Sequence, residues 1–277
     1  SLTRTVGVYL ESLHRSNATA CAIRSPVMRS GLMMANWPRR ILVAVSCFVA
    51  AALLAGIAPL SAGRQAAAAP GQPDAVIVGD SLTGGNVDYI RPTLRNAGLN
   101  VRVEGLSARR IAVSSNFLGR RDSGVARVRS LKAAGVAPAL WVIQLGTNDL
   151  GVVNNCRCPD PVAFAGKIID QLLAEIGPGV PIAWVTVANR TQWDASRWFN
   201  TAIGIRAARD PYIALIRWHD LSASRPDWFV DHVHQNFTGV KVFTQMYIDR
   251  ISALLADPLG PRPPGPGLAA ATRLGPT

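Results

Sequence analysis

The chain has 277 residues, of which 49% are hydrophobic and 17% charged, and its formal net charge is +12 at pH 7. Seven of its arginines but only one acid, Glu11, precede residue 70, so the rest of the chain carries a net charge of +6. This mild excess is compatible with anionic envelope surfaces, but without clustered basic and aromatic residues it argues against nucleic-acid binding.

Residues 1–69 predict a leader rather than part of a folded domain. Residues 41–60 are almost uninterruptedly apolar, follow Arg39 and Arg40, and precede small residues that end at Ala69. This order is typical of an export signal, and we expect cleavage after Ala69. Because the run approaches the ~20 residues that span a bilayer, an uncleaved membrane anchor is the alternative. In both cases the remainder is predicted to lie outside the cytoplasmic membrane.

The domain itself is predicted to cover residues 70–257, which is long enough for one hydrophobic core. Residues 1–27 precede Met28, lack apolar periodicity and are assigned no fold. Proline and glycine dominate residues 258–277, so that tail is predicted to be disordered.

Strand-like and helix-like segments alternate within the domain. The predicted strands are residues 75–78, 101–103, 140–145, 182–187 and 212–216. The predicted helices are residues 87–97, 125–134, 161–176, 193–208 and 240–255. This alternation predicts a parallel sheet covered by helices on both faces. Ligands of such folds bind at the carboxyl ends of the strands.

The first predicted strand ends abruptly at "GDSLTGG", where Asp80 and Ser81 follow Gly79. A polar turn that caps the next helix would explain this composition without any chemistry. The alternative is a nucleophile, because Gly79 permits a tight turn and backbone N–H groups near Ser81 can face a developing negative charge. The stretch lacks the lysine of a P-loop, and Thr83 replaces the second glycine of a Gly-x-Ser-x-Gly elbow.

A nucleophilic serine needs a base within hydrogen-bond reach and a third group that orients this base. Two of the four histidines, His232 and His234, lie together in "DHVHQNFTG". Asp231 and His234 are three residues apart, so a loop can bring the carboxylate against the imidazole while the other ring nitrogen faces Ser81. A polar loop before the last helix is the alternative interpretation.

A third stretch, "VIQLGTNDL", again shows an apolar strand that ends in glycine and polar residues. It places Asn148 at the carboxyl edge of the predicted central strand, where its amide can donate a hydrogen bond to an oxyanion. For the adjacent Asp149 we expect a structural role, as the cap of the next helix.

With these three stretches the chain resembles the SGNH (GDSL) hydrolase family. Gly-Asp-Ser-Leu at residues 79–82 matches the family's first block, and Gly-Thr-Asn-Asp at residues 146–149 matches the third. Asp-His-Val-His at residues 231–234 matches the last block. The three blocks occur in the family's order and extend over nearly the whole domain.

The resemblance implies a role for each of these residues. Ser81 would be the nucleophile, His234 the general base and then acid, and Asp231 the carboxylate that orients His234. Asn148 would donate its side-chain amide to the oxyanion, together with the backbone N–H of Ser81. The implied fold is a flavodoxin-like three-layer α/β/α arrangement around a central parallel sheet. No metal or organic cofactor is implied.

The family's second block departs from the pattern. It normally supplies a glycine whose backbone N–H completes the oxyanion hole. In "VEGLSARRI" the best alignment puts Ala108 there, and Gly105 is the alternative. A backbone donor survives the change from glycine to alanine only if the backbone does not require a positive φ.

The implied activity is hydrolysis of an acyl ester through a covalent serine ester. If a sugar hydroxyl replaced water, the same residues would make an O-acyltransferase, and "RPDWFVDHVH" resembles SGNH domains associated with envelope O-acylation. A carbohydrate-binding module without turnover is an alternative of another class. A further one is a metal site with an unusual spacing, formed by Cys156, Cys158, His232 and His234.

The expected substrate is a small-molecule or glycan-linked acyl ester. We expect a monomer with no nucleic-acid partner, and association with a membrane or cell wall remains an option. Four arginines either surround the site entrance or form a solvated face, namely Arg109, Arg110, Arg120 and Arg121. Four tryptophans either stack on sugars or, for the most part, pack in the core, namely Trp193, Trp198, Trp218 and Trp228.

Cys156 and Cys158 are the two cysteines that follow residue 69. In an exported protein we expect them to pair with each other as a disulfide. Two free thiols in a loop are the alternative.

Overall fold

The computed structural model of the chain describes residues 70–117 and 120–259, with the side chains of residues 115–121 left out. The apolar run at residues 41–60 and most of the predicted tail lie outside the described residues, so the export signal, the anchor and the disordered tail stay predictions. In the described ranges, no helix is long and apolar enough to cross a membrane.

Seven strands occur in the described residues, and five of them form one parallel sheet. They are β1 (Ala75–Gly79), β2 (Val101–Gly105), β3 (Ser115–Phe117), β4 (Arg120–Asp122), β5 (Leu140–Gln144), β6 (Ile182–Val185) and β7 (Ile213–Ile216). The parallel sheet has the order β2-β1-β5-β6-β7, and β3 and β4 form a separate antiparallel hairpin. Gly79, the last residue of β1, is in register with Gly105 on one side and Gln144 on the other. The end of β1 therefore lies between the ends of two neighbouring strands.

The described residues also form eight α-helices, of which the first six lie between strands and the last two follow β7. They are α1 (Ser81–Gly84), α2 (Val87–Asn96), α3 (Gly124–Ala133), α4 (Leu150–Asn154), α5 (Pro161–Ile176), α6 (Trp193–Arg209), α7 (Trp218–Ser222) and α8 (Phe237–Ala256). Side-chain caps fix several helix starts: Asp160 accepts from the backbone of Ala163 before α5, and Asn236 accepts from Gly239 before α8. Short 3₁₀ helices cover Thr147–Asp149 and Pro226–Trp228.

Buried apolar side chains form two clusters, one on each face of the sheet. Consecutive residues of β1 point to opposite faces, so Val76 and Val78 join one cluster and Ala75 and Ile77 join the other. The first cluster also contains residues of α3, α4, α5 and α6, and the second contains residues of α2, α7 and α8. The predicted three-layer α/β/α architecture is thereby confirmed.

All five strands and five helices of the sequence prediction are present. The largest difference is at the last helix, which begins at Phe237 rather than residue 240 because Asn236 caps it. The sequence did not predict α1, α4, α7 or the β3–β4 hairpin, which are too short to show a hydrophobic period. Two of the tryptophans, Trp218 and Trp228, are buried and stack in the core, which is the predicted use for most of them.

Candidate active site

Ser81 lies two residues after the end of β1, as the first residue of α1. Asp80 is the N-cap of this short helix, and its Oδ1 accepts the backbone N–H of Leu82 at 3.0 Å. The first N–H of a helix has no acceptor within the helix, so that of Ser81 lies beside its own hydroxyl and is available to a ligand. The capped turn and the accessible serine are therefore both present, on adjacent residues.

Ser81 contacts a histidine that is 153 positions away in the chain. Its Oγ lies 3.0 Å from Nε2 of His234, and Nδ1 of His234 lies 2.7 Å from Oδ2 of Asp231. An ionised carboxylate only accepts hydrogen bonds, so Nδ1 is assigned the proton and Nε2 is left to accept the Ser81 hydroxyl. The structure thus brings together the three residues that the sequence singled out.

The carboxylate of Asp231 is held by the backbone as well as by the imidazole. Its Oδ1 accepts the backbone N–H of His234 at 2.7 Å and that of Val233 at 3.1 Å. These N–H groups, that of His234 first, and the imidazole lower the pKa of Asp231 to about 2. Asp231 is therefore ionised at neutral pH and fixes the orientation of the ring.

His232 has a different position in the same loop. Its backbone is in the left-handed region, with φ of +72°, and its carbonyl accepts the N–H of Arg190 at 3.0 Å. The exposed imidazole forms no hydrogen bond to Ser81 or Asp231 in the described part of the chain. The turn at His232 allows Asp231 and His234 to converge.

Asn148 lies in the 3₁₀ turn after β5, which Gly146 introduces. Gly146 has φ of +123°, and a Cβ there would collide with the ring of Phe199, so no other residue fits. Nδ2 of Asn148 donates to the carbonyl of Arg109 at 3.2 Å and, over a longer 3.4 Å, to Oδ2 of Asp80. The amide therefore lies between the first and second blocks.

The two candidates for the second backbone donor differ in their surroundings. Gly105 ends β2, and a Cβ on it would collide with the backbone of Gly84, so close packing explains this glycine. Ala108 lies in the following turn, and its N–H has no acceptor among the described residues. Its φ is +59°, so the condition under which alanine replaces glycine freely is not met. The left-handed conformation costs an alanine about 1–2 kcal/mol.

Arg109 and Arg110 have structural contacts. Arg109 is expected from the sequence at the site entrance or on a solvated face, and both expectations are wrong. The Arg109 side chain is buried and donates to the carbonyls of Gly79 (2.8 Å) and Glu104. It also pairs with Asp122 at 2.9 Å. Arg110 is half-buried and faces Asp149. Nothing is described of the Arg120 and Arg121 side chains.

Asp149 has a structural role, as expected, but the contact is not the predicted helix cap. Its side chain makes no capping hydrogen bond to α4. Instead Oδ2 accepts the N–H of Ile111 at 3.1 Å, and Oδ1 lies 3.4 Å from Nε of Arg110. Burial raises the pKa of Asp149 to about 6. This contact could not be predicted from the sequence, because its partners are 38 and 39 residues away.

A network of buried polar side chains lies next to Ser81 and holds residues on either side of it. Oε1 of Gln144 accepts the N–H of Asp80 at 3.2 Å and the hydroxyl of Thr83 at 2.9 Å. The Thr83 hydroxyl lies 3.3 Å from that of Tyr247 on α8. Burial raises the pKa of Asp80 to about 6 and also raises that of Tyr247. The sequence signal for this network is Gln144, a polar last residue in the otherwise apolar β5.

Cys156 and Cys158 are joined by a disulfide in the structure. Both cysteines of the alternative metal site are therefore bonded to each other. Its residue His234 contacts Asp231 and Ser81 instead. In the described ranges, no three His, Cys, Asp or Glu side chains are arranged to hold a metal ion.

No family model and no curated protein sequence matches the chain. Several solved structures are similar to it. One is the C-terminal catalytic domain of peptidoglycan O-acetyltransferase A from Streptococcus pneumoniae, with 14% identity, a TM-score of 0.49 and coverage of 67% of this chain and 93% of that one. Another is AlinE4, an SGNH-hydrolase family esterase, with 22% identity, a TM-score of 0.40 and coverage of 66% and 97%.

A third similar structure is the aryl esterase of M. smegmatis, with 16% identity, a TM-score of 0.48 and coverage of 65% of this chain and 98% of that one. At identities this low, the likeness concerns the backbone fold alone. The sheet order shows the α/β fold of the chain, and the resemblance to the SGNH hydrolase family stays a prediction from the three sequence blocks.

Proposed function

We propose that the chain is an exported serine ester hydrolase that cleaves an acyl ester through a covalent intermediate on Ser81. The observation that carries this proposal is the continuous series of hydrogen bonds from Ser81 through His234 to Asp231. It lies at the carboxyl end of the sheet, where α/β folds bind their ligands.

In the first half of the reaction, Ser81 Oγ attacks the ester carbonyl and His234 Nε2 takes the hydroxyl proton. The distance of 3.0 Å between these atoms is within hydrogen-bond reach, so no movement is needed before proton transfer. The imidazolium that forms is stabilised by Asp231, which is ionised and held at 2.7 Å. His234 then gives the proton to the departing alkoxide, which leaves an acyl group on Ser81.

Three donors are proposed for the oxyanion: the backbone N–H groups of Ser81 and Ala108 and the side-chain amide of Asn148. Neither backbone N–H has an acceptor among the residues described. Asn148 already donates to Arg109 and, over a longer distance, to Asp80. We expect the oxyanion to take the hydrogen that points to Asp80, because that contact is the weaker one.

In the second half, water attacks the acyl carbonyl while His234 Nε2 takes its proton, and His234 then gives the proton to Ser81 Oγ as the acid leaves. The exposed fractions of the His234 and Asp231 side chains are 46% and 53%, so the site is open on one side. An open site admits a sugar hydroxyl as well as water, and this observation keeps O-acyl transfer to envelope glycans as the second candidate function.

The test is turnover of p-nitrophenyl esters of graded acyl length by the purified domain, with and without a sugar acceptor. Release of free acid in both conditions supports the hydrolase. Acylated sugar, detected by mass spectrometry, supports the acyltransferase instead. No turnover, with sugar binding retained, would favour a non-catalytic carbohydrate-binding module.

Export is part of the proposal, and the apolar run at residues 41–60 supports it. Fractionation of cells that express the full chain tests it directly. A shortened protein that starts near residue 70 in the medium or envelope indicates a cleaved signal, and the full chain in the membrane fraction indicates an anchor. Protein confined to the cytoplasm would contradict export.

A further inference from the structure

Three hydrogen bonds join the turn that carries Ala108 to the 3₁₀ turn after β5, one at each of three consecutive residues. Asn148 Nδ2 donates to the carbonyl of Arg109, Arg110 Nε donates to Oδ1 of Asp149, and the Ile111 N–H donates to its Oδ2. Two of these three bonds end on the carboxylate of Asp149. This carboxylate therefore connects the third block to the second.

The side-chain contacts of Asp149 are those that make this connection. Its side chain is almost fully buried, makes no cap on α4, and directs one oxygen at a backbone N–H and the other at a guanidinium. A buried carboxylate is costly unless it is paired and hydrogen-bonded. The contacts with Arg110 and Ile111 supply both kinds of compensation.

Ala108 explains why the turn needs to be held. An alanine with φ of +59° is strained, and a left-handed residue of this kind persists only where its surroundings fix it. The contacts of Asp149 begin two residues after Ala108, on the same turn. From the other side, the buried Arg109 side chain fixes the turn to the carbonyl of Gly79.

We propose that Asp149 is a positioning residue that holds Ala108 in its left-handed conformation and thereby directs the Ala108 N–H at the oxyanion. Asp149 does not contact the reacting atoms and acts through Arg110 and Ile111. The part that concerns the oxyanion rests on the proposed function, whereas the effect on the conformation of the turn does not depend on it.

The first measurement is steady-state kinetics of Asp149→Asn on p-nitrophenyl acetate. The substitution removes the negative charge. The new amide NH2 group either faces the Arg110 guanidinium, which is also a donor, or replaces the oxygen that accepts the Ile111 N–H. We expect kcat to fall about 10-fold or more, below the ~10²–10³ for loss of a whole donor, with KM changed little. The control is Asp170→Asn, which removes an arginine-paired carboxylate on α5 and should leave kcat unchanged. A wild-type kcat in folded Asp149→Asn would overturn the proposal.

The second measurement adds Ala108→Gly to Asp149→Asn. Glycine adopts the left-handed conformation without steric cost, so the turn should need less support and part of the lost kcat should return. A purely structural defect elsewhere would not be repaired by this change. If kcat is lowered by Asp149→Asn and Ala108→Gly restores none of it, the proposal is overturned. Should Asp149→Asn not fold, Arg110→Gln replaces it in both measurements, with a smaller expected loss.

The third measurement is independent of turnover. The melting temperatures of the wild type, both single variants and the double variant form a cycle. If Asp149 holds a strained Ala108, Ala108→Gly should raise Tm more in the wild type than in Asp149→Asn, where the turn can relax. Additive shifts would overturn the proposal. By contrast, a wild type that neither turns over esters nor is labelled on Ser81 by a sulfonyl fluoride would overturn the proposed function and leave the result of the cycle standing.

Discussion

Ser81 Oγ and His234 Nε2 are 3.0 Å apart, although Ser81 follows the first strand of the sheet and His234 precedes the last helix. Two features bring them together: β1 lies inside the sheet with its end next to β5, and α8 packs against the same face of the sheet as α2. The side chain that would supply the proton and the one that would take it are thus positioned by opposite ends of the domain.

Ser81→Ala should abolish esterase activity and leave the fold intact, because a half-buried hydroxyl at a turn contributes little to packing. The measurement is turnover of p-nitrophenyl acetate, with circular dichroism to verify folding. Ser224→Ala is the matched control, since Ser224 is exposed in a loop. Turnover that persists in folded Ser81→Ala would rule out the serine mechanism.

His234→Ala should lose nearly all activity, whereas His232→Ala should retain most of it. Only the His234 ring lies between Ser81 and Asp231, and the His232 contact with Arg190 uses the backbone carbonyl. The pH-rate profile of His232→Ala should keep the shape of the wild-type profile. If the two variants ranked the other way, the base would be His232 and its proposed pairing with Asp231 would be wrong.

The sequence predicted the sheet and the residues of the candidate site because both have local signals. Apolar runs such as residues 75–78 identify buried strands, and polar residues directly after them identify the carboxyl edge. Ser81 and Asn148 follow such runs, so their positions could be predicted without knowing the strand order. Asp231 and His234 are close in the chain, and their contact needed only a turn.

The support around the site could not be predicted, because it depends on contacts between distant segments. Asp149 and Ile111 are 38 residues apart, and Arg109 contacts Gly79 across 30 residues. Nor does a composition of Ala, Arg and Arg indicate a left-handed backbone at Ala108. An arginine that contacts two carbonyls and a carboxylate has the same sequence signal as an arginine on a solvated face.

Asn148→Ala should lower kcat by roughly 10²–10³, the effect of removing one oxyanion donor. It also removes the hydrogen bond to Arg109, so a modest fall in Tm is expected. Asn155→Ala is the matched control, because the Asn155 amide likewise donates to a backbone carbonyl, that of Gly151 in α4, but is exposed. A change confined to KM would assign Asn148 to substrate binding instead.

The cysteine pair can be tested by a single digestion. Trypsin cleaves after Arg157, between Cys156 and Cys158, and the neighbouring cleavage sites are Lys132 and Lys167. If the disulfide seen in the structure forms in the exported protein, residues 133–157 and 158–167 should stay joined in an unreduced digest and separate after reduction. Two separate, alkylated peptides without reduction would show free thiols.

The stability of the fold should fall as the pH rises from about 4 to 6, because of two buried carboxyls. Burial raises the pKa of both Asp80 and Asp149 to about 6, from an ordinary value of 3.8. In this window the unfolded chain releases the two protons and the folded chain keeps them, so the folded state binds more protons and loses stability with rising pH. At ~1.4 kcal/mol per pKa unit, each group costs at most about 3 kcal/mol above pH 6.

Asp231 acts in the opposite direction at lower pH. Its pKa is lowered to about 2, so the stability that it contributes is present above pH 3.8 and is lost as the pH falls towards 2. The exposure of Asp231 keeps this contribution small.

The measurement that tests the two buried carboxyls is urea denaturation between pH 3 and 8 for the wild type, Asp80→Asn and Asp149→Asn. In each variant, the free energy of unfolding should decline less between pH 4 and 6 than it does in the wild type. Curves parallel to the wild type over that window would show that neither carboxyl keeps its proton in the folded chain.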